Sequence, residues 1–286
     1  KGDRMIEKYY NGVIEQVAGG IGNVEHNSIL VRYSNDFSIW DLESVNHYKD
    51  QTDIFFTCHE FSYNKIAEAY EPYLGLIRQM FHKYCSGTLE EFMEECDVYK
   101  LQRPVFESYF EKGFCERTEQ ILIDEVEYEQ ERMRNSIVTM LQKLSEIRPV
   151  VIVLNRFQLA SKSTMQLSNS LLQVKNKNIG IVLGVNDVQS IPEFAHEEWD
   201  AICESMDDRN MVYHIGNAGR NMEPDVMDYY SDYESDDGYR KLNNLVYFLD
   251  FDQADHHLSK IERRIKFDNF TISEKKHYQL LLLQIM

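Results

Sequence analysis

The sequence predicts an α/β fold: a five-stranded, mostly parallel sheet flanked by helices, with a C-terminal helical extension. Three observations predict it. Five short runs rich in β-branched or aromatic residues, at 28–32, 53–58, 150–154, 179–184 and 211–215, each have strand length. Segments with helical spacing lie between them, among them 64–84, 118–146 and 163–174, and this alternation favours a parallel sheet covered by helices. The run Val150-Val151-Ile152-Val153-Leu154 is apolar without a break and follows Pro149, as a strand buried on both faces requires.

Taken in order, the elements have local reasons. Gly19-Gly20-Ile21-Gly22 precedes the first strand run, so the order is helix, glycines, strand. That order suits a turn that ends a helix, and it is the reverse of what a phosphate-cradling loop needs. Residues 89–114 are polar and aromatic and are interrupted by Pro104 and Gly113, which predicts short helices between the second strand and the long 118–146 helix. Residues 223–238 mix acidic residues and tyrosines without periodicity and read as a linker. The organisation expected is a domain over 1–222, an acidic linker over 223–238 and a helical segment over 239–286, with helices at 242–266 and 273–286.

Composition narrows the function classes. A chain of 286 residues can bury a core without covalent staples, and five scattered cysteines without Cys-x-x-Cys spacing read as reduced thiols of a cytoplasmic protein. No run approaches the ~20 apolar residues of a bilayer-spanning helix, so no membrane association is expected. The chain opens on Lys1 rather than Met, which suggests a piece of a longer protein. Acidic residues number 48 against 30 basic ones, and the formal charge of −18 would repel a nucleic-acid backbone. Arg263-Arg264 and Lys275-Lys276 read as solvated helix faces.

Three stretches carry a resemblance. Residues 148–161, Arg-Pro-Val-Val-Ile-Val-Leu-Asn-Arg-Phe-Gln-Leu-Ala-Ser, are followed downstream by Leu171-Leu172; Tyr70-Glu71-Pro72-Tyr73-Leu74 opens a helix after the second strand; and 179–186 is a strand ending in the polar Asn186. Together they resemble the STAND class of signal-transducing ATPases, relatives of the AAA+ proteins. The tail Asp250-Phe251-Asp252-Gln253-Ala254 with Leu258 is similar to the start of a tetratricopeptide unit. The resemblance implies a P-loop NTPase-like domain with a Walker A loop after the first strand, a Walker B acidic pair after the third and a sensor residue at Asn186.

The chain departs from that pattern where the chemistry lies. An active phosphate loop needs glycines for close backbone approach and a lysine to neutralise charge. The matching positions here are Tyr33, Ser34, Asn35, Asp36, Phe37 and Ser38, followed by Ile39, Trp40 and Asp41. Tyr33, Phe37 and Trp40 are expected to bring bulk, and Asp36 and Asp41 negative charge. The Walker B position holds Asn155-Arg156, which cannot hold magnesium or orient a water. Arg156 is read as pairing with a nearby carboxylate.

Other constellations read as structural. His196-Glu197-Glu198-Trp199-Asp200 lacks a second histidine, the acidic run 232–243 lacks the glycine and closing glutamate of a calcium loop, and His256-His257 diverge on a helix. No catalytic residue, metal or cofactor is expected. The function these observations imply is a non-catalytic, ATPase-like regulatory or scaffolding module of a larger intracellular signalling protein. It would act on a protein partner or fused effector domain, without direct nucleic-acid binding by this stretch. The alternative is an ATP-binding switch of a transcriptional regulator in which Arg32 or Arg156 replaces the P-loop lysine.

Overall fold

A computed structural model describes residues 2–22, 27–34, 38–51, 53–62, 65–115, 126–174, 176–186, 191, 195–207, 212–215 and 236–265. Strands β1 (Ser28–Tyr33), β2 (Phe55–Glu60), β3 (Val150–Asn155) and β4 (Ile179–Asn186) form the body of one sheet, and the short β5 (Val212–Ile215) adds to one edge. The order is β2-β3-β4-β1-β5, and every pairing is parallel. Each strand starts within two residues of its predicted run, and the α/β class is as the alternation of runs predicts. The helices are α1 (Gly2–Gly19), α2 (Glu43–Lys49), α3 (Tyr73–Tyr84), α4 (Leu89–Glu95), α5 (Arg103–Lys112), α6 (Val126–Ile147), α7 (Lys162–Gln173), α8 (His196–Asp207), α9 (Asp236–Tyr247) and α10 (Phe251–Ile265).

The period-two alternation of strand side chains sorts the core into two layers. Ile29, Val31, Tyr33, Val151, Val153 and Val182 face α1 and α2, where they meet Tyr10, Val13, Ile14, Val17 and Val45. Leu30, Val150, Ile152, Leu154, Ile181, Leu183 and Val185 face the larger layer, which includes residues of α3 and α5 to α10. Burial on both sides explains why β3 and β4 are apolar almost throughout.

Two glycines set how closely α1 can approach. On β4, Gly180 and Gly184 lie on the α1 side of the pleat; a Cβ at Gly180 would sit 2.7 Å from Val17 Cγ1, and one at Gly184 would sit 2.0 Å from Tyr10 Oη. Both contacts are shorter than atoms tolerate, so only hydrogen at these positions lets the helix seat. The Gly19–Gly22 segment ends α1 as predicted. Gly20 N–H donates to Gln16 O at 2.9 Å, and Gly22, at φ +98°, donates to Lys177 O at 2.7 Å beside the entry to β4.

Two predicted helices begin or break elsewhere. The segment expected to be helical from residue 64 becomes so only at Tyr73, because Tyr70 takes a left-handed φ of 55° and Pro72 disfavours helix in the residue before it. Tyr70 N–H donates to Ser163 Oγ at 3.2 Å, which fixes the turn against α7. The predicted helix 242–266 is split at residues 248–250. Asp250 N–H donates to Leu245 O and Leu249 N–H to Val246 O, and Leu249 sits at φ 66°. That is the Schellman stop usually made with glycine; a leucine there costs about 1 kcal/mol of backbone strain, which its burial offsets. Residues 236–238, predicted to finish the linker, instead open α9; the linker's 223–235 and the helix expected at 273–286 lie outside the described residues. Leu242, Leu245, Val246 and Phe248 share the larger core layer with α3, α5 and α6.

Replacing Gly184 by Ala is expected to cost about 2–3 kcal/mol by overpacking, while Gly12→Ala, where nothing lies within 4 Å of the new carbon, should be neutral or stabilise by up to about 1 kcal/mol. Urea unfolding midpoints of the two variants provide the comparison, and equal midpoints would remove the close-approach account.

Candidate functional site

In open parallel sheets, ligand sites form at the carboxyl ends of strands, where successive connections leave on opposite faces. Here β1 runs into α2, whose Val45 packs in the α1 layer, whereas β4 runs into α8, whose Trp199, Ile202 and Met206 pack in the other. The switch point therefore lies between the ends of β1 and β4, where Tyr33 pairs in register with Asn186. Of the sequence-predicted positions, Tyr33 and Asn186 meet there, and Asn155 is tied to them through Tyr33.

Each predicted residue has a definite place. Tyr33 is buried, and its phenol donates to Asn155 Oδ1 at 2.7 Å, linking the last residues of β1 and β3 across β4. Tyr10 lies edge-on to Tyr33 at 6.4 Å, over the space that Gly184 leaves. Burial pushes the Tyr10 phenol well above its ordinary pKa, with Tyr33 and Glu60 adding to the shift. Asn186 is buried, and its N–H donates to Oε1 of the equally buried Gln158 at 3.3 Å. Ser34 is half-buried, and Ser38 accepts from Trp40 N–H as the cap of a short 3₁₀ turn. Asn35, Asp36 and Phe37 lie outside the described residues, as does the side chain of Asp41. Trp40 departs from expectation. Instead of filling the pocket it is 47% exposed, with the Lys49 ammonium 4.6 Å over its ring.

Arg156 is held in the left-handed region at φ 53°, and its Nη1 meets Glu60 Oε1 at 3.2 Å. Glu60 also accepts from Ile39 N–H at 3.2 Å and from the Ser38 hydroxyl at 3.4 Å. One carboxylate thus ties the segment after β1 to the residue after β3. The sequence reading did not single out Glu60, Tyr10 or Gln158 as parts of this cluster. Glu60 closes β2 in register with Asn155, so a carboxylate ending the neighbouring strand was its only signal. Tyr10 was hidden in an ordinary helical apolar face.

The result is a set of neutral hydrogen-bonding side chains beside one carboxylate–guanidinium pair. Among the described residues, no group of three or more His, Cys, Asp or Glu side chains is placed to hold a metal ion. No helix of the described residues is long and apolar enough to cross a membrane.

A second polar cluster joins the C-terminal helices to α7. Asp250 is buried between the start of α10 and the N-terminus of α7, where it accepts from Ser163 N–H at 2.9 Å. Gln253 accepts from Lys162 N–H at 3.2 Å and donates to Ala67 O at 3.0 Å. Asn244 accepts from Cys115 N–H and donates to Glu68 Oε2, and Asn243 donates to Cys115 O. Lys162 bridges toward Asp252 and Glu198. Burial pushes the Asp250 carboxyl up to about 6 against the opposing pull of its Ser163 hydrogen bonds.

Removing the phenolic hydroxyl with Tyr33→Phe should leave buried Asn155 Oδ1 without that donor and cost about 1–2 kcal/mol in urea unfolding. An unchanged midpoint would show that the contact across β4 contributes nothing. Because the folded-state pKa of Asp250 is raised, its favourable contribution is complete below the unfolded carboxyl pKa of about 3.9 and is lost as pH rises through 6. Relative to wild type, Asp250→Asn should therefore gain roughly 2–3 kcal/mol between about pH 4 and pH 7; a pH-independent difference would contradict the assignment.

No family model matches the chain, and no curated protein or solved structure matches it either.

Proposed function

We propose that this chain is a non-catalytic module on a P-loop ATPase plan that serves as a regulatory or scaffolding element of a larger cytoplasmic signalling protein. It acts through contacts with a protein partner or a fused effector domain. The observation that carries the reading is the Tyr33–Asn155 hydrogen bond at the switch point, with Glu60 and Arg156 paired beside it. These side chains take the space and the charge that a triphosphate would need. The sheet supports the plan: it is parallel throughout, and its switch point lies beside the end of β1, where a phosphate loop would leave the first strand.

Seating a nucleotide in the usual pose would first break the Tyr33–Asn155 bond in a buried site. It would also bring phosphate oxygens toward Glu60, where like charges at ~4 Å repel by roughly 4 kcal/mol at an effective dielectric near 20. Arg156, the candidate substitute for a P-loop lysine, already answers Glu60. The strands and their covering helices keep the core, while the strand-end segments are free to vary once phosphate no longer has to be gripped.

Isothermal titration of the chain with ATP and magnesium should give no saturable heat up to about 1 mM nucleotide. Saturable binding in the low micromolar range would overturn the reading.

A further inference from the structure

The two edges of the sheet differ. β5 is four residues long, whereas β2 presents six, Phe-Phe-Thr-Cys-His-Glu, all half-buried. Natural sheets usually blunt a long edge with proline, lysine or a bulge, and the interior of β2 contains none of these. Phe55 N–H donates to Pro149 O and Phe61 N–H to Asn155 O, so the odd-numbered amides serve the β3 ladder. The even-numbered amides of Phe56, Cys58 and Glu60 consequently point away from β3. Among the described residues, no strand pairs with that side.

A groove follows this edge on the α3 side. One part, of about 510 Å³, is bounded by Phe55, Arg78, His82 and Lys83; the next, of about 250 Å³, is bounded by Thr57, His59, Glu71 and Tyr109, and Gln79 is common to both. Charge changes sign along it. The Phe55 end carries Arg78 and Lys83, with Lys83 Nζ 5.8 Å from the Phe55 ring. The His59 end carries Glu68 and Glu71. His59 adds no positive charge there at neutral pH, since burial, helped by Lys241, pushes its pKa down to about 4; its 3.5 Å contact with Glu71 sets a neutral imidazole beside a carboxylate.

We infer that the β2 edge and its groove form a homodimer interface, in which a second copy of this chain pairs antiparallel through its own β2 across a two-fold axis. A two-fold operation sets the basic end of one groove against the acidic end of the other, twice, so the polarity is complementary to itself. The outward amides of Phe56, Cys58 and Glu60 gain partners, and the two sheets become one.

The test is sedimentation velocity of the whole chain with two kinds of variant. Wild type should be a dimer at about 100 µM, with dissociation on dilution toward the low micromolar range. Cys58→Pro deletes an outward N–H without touching the β3 ladder and should raise the dissociation constant at least about tenfold. Lys83→Glu and Glu71→Lys should each weaken self-association by a similar factor, and an equimolar mixture of the two should recover the wild-type dimer, because both charge pairs are then restored across the interface. The mixing experiment does not depend on how well the proline variant folds, and circular dichroism of each variant checks its fold. A monomeric wild type at about 100 µM overturns the inference, as does a dimer indifferent to Cys58→Pro or a mixture that fails to recover.

Discussion

The close seating of α1 on β4 is the constraint on which the rest of the strand-end chemistry depends. Gly180 and Gly184 leave a trough in the sheet's surface, and Val17 and Tyr10 lie in it. A helix held one methyl group further out would lift the Tyr10 ring from the space beside Tyr33. The interior tolerates little slack, because atoms there are packed at crystal-like density. Two missing side chains on one strand thereby determine what fills the end of two others.

That filling has an electrostatic counterpart. A phosphate site at a strand end offers backbone N–H groups and a cation to incoming negative charge. Here the segment after β1 directs Ile39 N–H and the Ser38 hydroxyl at the Glu60 carboxylate, and the guanidinium of Arg156 neutralises the same group. The donors and the cation that an anionic ligand would use are engaged by a resident anion. Both partners of the pair are largely shielded from water, so its disruption would leave a charge without compensation, which is costlier than the pair is stabilising.

The C-terminal helices are coupled to the domain by polar rather than purely apolar means. Asp250 reaches the start of α7, the helix that follows the Asn155–Arg156 position, and Gln253 and Asn244 contact the segment leading into α3. A shift of α9 and α10 would therefore be felt at the helix that leaves β3. This gives a polar path between the C-terminal helices and the strand ends, with buried Asp250 on it.

The sequence by itself determined the strands and the covering of the sheet by helices. Unbroken apolar runs such as 150–154 require burial on two faces, and their alternation with helical segments favours a parallel sheet covered by helices. The resemblance pointed to Tyr33, Asn155 and Asn186, and each of them closes a strand. The sequence did not give the start of α3 or the break before α10, since Tyr70 and Leu249 adopt left-handed backbone that their residue types disfavour and only tertiary burial and hydrogen bonding secure. Nor could it pair Glu60 with Arg156 or set Tyr10 over Gly184. Those contacts join residues 96 and 174 positions apart, and their proximity follows from the order in which five parallel strands lie side by side, which no local pattern encodes.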